Sequence, residues 1–283
     1  MSLELESPTP ALSSAPRDLA AWVREFRSRE IPVFAETADM LEALRINEDA
    51  LDARALAEVV SGDPLMTLKL LSHAGMKRPS HATGEAETVT AALVMMGIGP
   101  FFRAFGPQPS IEARLSAAPA ALEGLRAVAR RAHRAARFAL SFAVHRRDHD
   151  AAVIHEAALL HDFAEMLLWC HAPTLALVIL QRQQADATLR SAAVQREVLH
   201  IELADLQRAL MCAWRLPELL VWISDERHAG HPSVRSVALA VRLARHTAHG
   251  WDNAAVPDDV RDVSSLLQLA IEPTLKMLRD VDG

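Results

Sequence analysis

Three ionisable side chains stand inside one of the most apolar stretches of the chain. The run Ala157-Ala158-Leu159-Leu160-His161-Asp162-Phe163-Ala164-Glu165-Met166-Leu167-Leu168-Trp169 carries His161, Asp162 and Glu165 among almost wholly apolar neighbours. Ionisable groups in such surroundings need partners, and clusters of them are enriched at functional sites. An adjacent His-Asp pair offers a metal one nitrogen and one carboxylate ligand. A purely structural arrangement is also open, with His161 and Glu165, four residues apart, bonding each other and nearby backbone. Read at helical period, the stretch predicts one buried helix over 151–170, with His161 and Asp162 largely buried and hydrogen-bonded.

A second candidate lies upstream. From Gly124 to Arg147 there is no acidic residue, while Arg126, Arg130, Arg131, Arg134, Arg137, Arg146 and Arg147 accumulate. On a helix, Arg126, Arg130 and Arg137 fall within about 60° of His133, and Val128, Ala135, Ala139 and Phe142 face the other way. Guanidinium groups attract phosphate and carboxylate and repel divalent cations. The face reads either as a solvated basic surface paired with acids elsewhere, or as an anion-binding groove for a phosphorylated small ligand or an acidic partner. In the second case Arg126, Arg130 and Arg137 carry the binding.

The elements that must position these residues are helical. The chain has 283 residues, 51% of them hydrophobic and 23% charged, with 10 glycines. Scarce Gly with abundant Ala, Leu, Arg and Glu favours helix nearly everywhere, and no strand-period alternation stands out. Residues 1–17 are rich in Pro and Ser and read as a disordered tail. Asp63 suits an N-cap, Pro64 a first helical position and Gly75 the left-handed position that ends that helix. Further helices are expected over Thr88–Met96, from Pro119 to about His145, and over 151–170, 173–186, 191–213, 217–224, 232–250 and 257–271. The looser stretch 106–119 divides an N-terminal helical lobe, 18–112, from a second, 113–283. The fold class is all-α.

The formal net charge of −6 argues against a general nucleic-acid coat, and one short basic stripe argues against double-stranded nucleic acid. The two cysteines, Cys170 and Cys212, make neither a disulfide framework nor a zinc site, and read as inert buried thiols. The longest uncharged runs fall short of the ~20 residues that a membrane helix needs. Glu4 and Glu6 stand where a signal peptide has Lys or Arg. A cytoplasmic protein is expected, without membrane contact.

Five short motifs in order bear on function. Ile31-Pro32, the helix Asp63-Pro64-Leu65-Met66-Thr67-Leu68-Lys69-Leu70-Leu71, Ala91-Ala92-Leu93-Val94-Met95-Met96-Gly97, Leu159-Leu160-His161-Asp162 and Trp214-Arg215-Leu216-Pro217 resemble those of the HDOD family (HD-related output domain), over about Ile31 to Pro232. The resemblance implies an N-terminal helical lobe packed on a degenerate HD-type lobe, and a non-catalytic bacterial signalling module that binds a protein partner and needs no cofactor. HD phosphohydrolases hold metal through a first His, the His-Asp dyad and a distal Asp. His133 sits at the expected distance before the dyad, so His133, His161 and Asp162 would form the vestigial site and would be the ligands of any metal. The helix expected to supply the distal Asp reads Leu239-Ala240-Val241-Arg242-Leu243, which puts a cation where a ligand belongs. The family's tandem His is altered in Asp225-Glu226-Arg227-His228-Ala229-Gly230-His231-Pro232, and Ala158 and Ala164 replace two glycines beside the dyad. The alternative function is a metal-dependent HD-type phosphohydrolase acting on a nucleotide or cyclic dinucleotide. Metal-activated water would then attack phosphorus.

Overall fold

Local rules start most of the helices. The computed structural model describes residues 10–78, 86–186, 188–223, 225–228 and 230–283, and 73% of the chain is helical with no sheet among the described residues. An isolated bridge pairs Val33 with Ser110. The N-terminal half holds α1 (Leu19–Ser28), α2 (Ala35–Arg45), α3 (Ala53–Ser61), α4 (Pro64–Lys77), α5 (Val89–Met96), α6 (Ile98–Ala104) and the single turn α7 (Ile111–Arg114). Asp18, Asp52, Asp63, Thr88 and Ser110 each accept a backbone N–H from the first turn of the helix that follows, satisfying donors the helix itself leaves unpaired. Asp63 also accepts the Phe34 N–H at 2.8 Å, so one buried carboxylate caps α4 and pins the entry to α2.

The second half is built on α8 (Pro119–Arg146), followed by α9 (Ala151–Leu159), α10 (Phe163–His171), α11 (Pro173–Ala185), α12 (Ser191–Leu199), α13 (Leu203–Trp214), α14 (Glu218–Ile223), α15 (Pro232–His246), α16 (Val256–Leu267) and α17 (Ile271–Asp282). Helix α8 is the axle, packed by α9, α10, α15 and α17. Its buried stripe, including Leu125, Val128, Ala132, Ala135, Ala139 and Phe142, is rich in alanine, which lets neighbouring helices approach closely. Helices α10 and α13 also pack on α4, and the buried side chains of both halves form one continuous core. No single helix among the described residues is long and apolar enough to cross a membrane.

Several expectations are corrected. The helix expected over 151–170 is broken at residues 160–162, so the His-Asp pair lies in the turn between α9 and α10. The reason is local: His161 and Asp162 bond each other, and adjacent residues of a straight helix do not face one another. The helix expected over 191–213 likewise breaks, at left-handed His200 (φ 62°). Helix α16 stops at left-handed Gln268, α15 ends at His246, and α17 follows where no helix was expected. Helix α4 runs through Gly75 to Lys77. Gly75 is instead a contact glycine, since a Cβ there would lie 2.5 Å from the carbonyl oxygens of Trp214 and Arg215. Of the expected disordered tail, residues 1–9 lie outside the described residues. Residues 10–17 are anchored: Leu12 N–H donates to the His171 carbonyl at 2.7 Å, and Arg29 Nη1 donates to the Pro10 carbonyl at 2.7 Å. Cys170 is buried as expected, but Cys212 is exposed.

Candidate functional site

The turn between α9 and α10 presents the dyad to the side of α8. His161 Nδ1 donates to Asp162 Oδ1 at 2.8 Å. Arg131, from the middle of α8, donates to Asp162 Oδ2 through Nε at 3.2 Å and Nη2 at 3.0 Å. The same Nη2 donates to Glu165 Oε2 at 2.7 Å, so one guanidinium joins two carboxylates. Arg245, from α15, brings Nη2 to 3.9 Å from Asp162 Oδ1. Behind the turn, Gln207 of α13 accepts the Ala164 N–H and donates to the His161 carbonyl.

These side chains are half-buried rather than enclosed, with His161 27% and Asp162 14% exposed, because the break turns them toward the α8 flank. Burial works against the charge on Asp162, but His161, Arg131 and Arg245 outweigh it and hold the carboxyl well below its ordinary range. Burial pushes Glu165 up despite the pull of Arg131, and Asp162 adds to the rise. Glu165 bonds Arg131, whereas sequence spacing had offered it to His161.

His133 is not part of this arrangement. It lies two residues, hence about 200° around α8, from Arg131. It lines a groove of about 670 Å³ between α8 and helices α2 and α3, whose walls include Phe34, Met40 and Val59. Its imidazole is held below its ordinary value, first by burial and then by Arg137. Arg126 and Arg130 line the groove with His133, but Arg137 lines a different depression, beside Leu140 and Val144, and faces the end of α17. Arg126 is already engaged by Glu123 at 3.1 Å and Glu112 at 3.3 Å. Glu112 in turn accepts the Ala35 N–H at 2.9 Å, so it ties the groove's basic wall to the start of α2. Glu36 and Glu58 stand on the opposite wall.

The cation facing the dyad from α15 is Arg245 and not Arg242, which pairs with Asp259 and Asp262 of α16. Sequence spacing missed Arg131, although it sat in the arginine run. The available signal was that this helix, with no acidic residue after Glu123, carries arginines on more than one face, which calls for acids from elsewhere. Arg134, on the flank nearest Arg131, indeed pairs with Asp282 at 2.7 Å. Sequence spacing also missed Glu156 of α9. Only 6% exposed, it accepts the Val89 N–H on both carboxylate oxygens, at 2.9 and 3.1 Å, and burial pushes its carboxyl up to about 7. Its signal was isolation, since the positions three and four residues away on either side are Ala152, Val153, Leu159 and Leu160.

A metal does not fit the dyad as the chain arranges it. Asp162 Oδ2 is clasped by Arg131, Oδ1 is shared by His161 and Arg245, and His133 is on another face of α8. Among the described residues no group of three or more His, Cys, Asp or Glu side chains is placed to hold a metal ion.

The model of the HDOD domain matches residues 31–229 of the chain. Two solved structures share its fold. The MmoQ response regulator of Methylococcus capsulatus str. Bath is 21% identical and aligns over 88% of this chain and 98% of its own, with a TM-score of 0.67. A virulence factor from Campylobacter jejuni is 17% identical and aligns over 94% of this chain and 98% of its own, with a TM-score of 0.61. No curated protein matches the chain.

Proposed function

Starting from the fact that this chain belongs to the HDOD family, we propose that it is a non-hydrolytic bacterial signalling module that acts in the cytoplasm by binding a protein partner. The observation that carries the reading is the clasp of Arg131 on Asp162. A hydrolytic HD centre needs this carboxylate on a metal, with an open coordination position for water. Here an arginine holds it, with a second cation behind. The groove along α8 is the place for recognition, with Arg126, Arg130 and His133 on one wall. It suits a phosphate or carboxylate carried by a partner or a small ligand, and Glu36 and Glu58 restrict the negative charge to the α8 side.

Metal analysis of protein purified without chelator or affinity-tag metal tests the reading, together with turnover assays on cyclic dinucleotides and nucleoside phosphates in Mn²⁺ or Mg²⁺. Substoichiometric metal and no turnover are expected. Stoichiometric metal with turnover that Asp162→Ala abolishes establishes the hydrolase instead.

A further inference from the structure

The groove along α8 is more than a basic wall. Two guanidiniums and three carboxylates line it, and most of them are already engaged. Arg126 is held by Glu112 and Glu123, and the second oxygen of Glu112 accepts the Ala35 N–H. Glu58 pairs with Arg54 at 3.2 Å. That leaves Arg130 on the α8 wall and Glu36 on the α2 wall, both exposed and both without a partner among the described residues. Phe34, Met40 and Val59 put apolar surface in the same groove.

The uncommitted charges fit a carboxylate better than a phosphate. Burial and Arg137 hold the His133 imidazole below its ordinary value, so near neutral pH it offers a hydrogen bond and no charge. A phosphate dianion would meet a single uncommitted guanidinium among the groove's described residues, with three carboxylates around it. One carboxylate matches one guanidinium, whose planar fork takes both of its oxygens. Glu36, in turn, calls for a positive group on the ligand.

The groove is built before anything enters it. Glu112 bonds both Arg126 of the basic wall and the first residue of α2, and Asp63 holds the Phe34 N–H at 2.8 Å. The walls are therefore tied to each other, which lowers the ordering cost of binding. The volume of about 670 Å³ lies within the ~300–1,000 Å³ of small-molecule sites.

We propose that this groove binds a small zwitterion with an apolar body, a short apolar peptide or an amino acid with free ends, its carboxylate on Arg130 and its ammonium on Glu36. The proposal rests on the reading of this groove as the place for recognition, and names the chemistry of the ligand. A folded partner would have to present an acid and a base at matched positions on its surface, whereas a zwitterion carries both by constitution.

Isothermal titration calorimetry on the full chain tests this with the tripeptide Ala-Leu-Ala, its N-acetyl and C-amide forms, leucine and phenyl phosphate. The free tripeptide is expected to bind with a Kd on the order of 100 µM. Blocking either end should weaken it about tenfold. Arg130→Met should weaken the free peptide about tenfold and the amide no further. Glu36→Gln should weaken the free peptide to the same extent and spare the acetylated form. Phenyl phosphate should bind more weakly than the tripeptide. Both positions are exposed, so the melting temperatures of the variants should match the wild type. Leucine separates the two sources: weaker binding assigns the groove to peptides, as its volume favours, and equal binding to free amino acids, and either result keeps the zwitterion. No binding of tripeptide or leucine, indifference to the blocked ends or to the variants, or tighter binding of phenyl phosphate overturns the proposal. Tighter phenyl phosphate would still leave the groove an anion site, and none of these results touches the metal and turnover outcome for the dyad.

Discussion

Glu156, in α9, and Asp162, in the turn that follows it, are carboxylates six residues apart, and both are largely withdrawn from water. Their surroundings give opposite results. Asp162 is met by His161, Arg131 and Arg245 and stays ionised far below its ordinary range. Glu156 is met by one backbone N–H and, among the described residues, by no cation, and burial pushes its carboxyl up to about 7. Burial disfavours the charge in both cases, so it is the partner that decides whether a buried carboxylate is a fixed anion or a group poised near neutrality. The dyad carboxylate, which chemistry would need free, is the one fully claimed.

The largest effect should come from removing the cation. Arg131→Met leaves Asp162 and Glu165 without their shared counter-charge and should lower stability by about 3 kcal/mol, read from the urea midpoint. Adding Asp162→Asn to Arg131→Met should recover part of that loss, and a strictly additive double mutant would show that the clasp is not a coupled unit.

Glu156 should respond to pH in the opposite sense. Its carboxyl binds a proton more tightly in the fold, at about 7, than the ordinary value of 4.5 allows in the unfolded chain. Its contribution is therefore fully present below 4.5 and is lost as the pH rises through about 7. Between those limits the wild type should lose up to about 3 kcal/mol relative to Glu156→Gln. His171, buried with both ring nitrogens lacking a hydrogen-bond partner among the described residues and held down to about 3 by burial, titrates with the opposite slope. The difference curve between wild type and Glu156→Gln is thus the measurement, and a flat one would break the contrast with Asp162.

His161→Ala removes one of several partners of Asp162 from a half-buried site. It should cost about 1 kcal/mol, seen as a lower denaturant midpoint at unchanged slope. The smallest effect is none: a chelator such as EDTA should leave the melting temperature unchanged, because the counter-charge at Asp162 is a side chain. A chelator-induced fall would return metal to the dyad.

Much of the fold is readable from local chemistry. Asp63 with Pro64, and Thr88 before Val89, announce helix starts because capping uses residues close in the sequence. Helix ends are another matter in a chain with few glycines. Arg147, His200, Arg215 and Gln268 all adopt left-handed backbone and end α8, α12, α13 and α16, positions where Gly would have been the visible signal. That is why 191–213 reads as one helix and α17 goes unseen. At the site, the dyad is legible as charge in an apolar stretch, but its partner is not. Arg131 and His133 are two residues apart in sequence and on different faces of α8, and only the packing of α10 against α8 shows which one meets Asp162. The burial of Glu156 is likewise decided at a distance, by the Val89 N–H that meets it from α5.

The arginine clasp also settles a question of supply. A metal ion must be acquired after synthesis, in competition with every other ligand in its surroundings. Arg131 arrives with the chain, at a stoichiometry of one, and reaches Asp162 whenever α8 and the turn come together. The counter-charge of Asp162 is therefore supplied by the same chain, and is in place as soon as α8 and the turn have packed together.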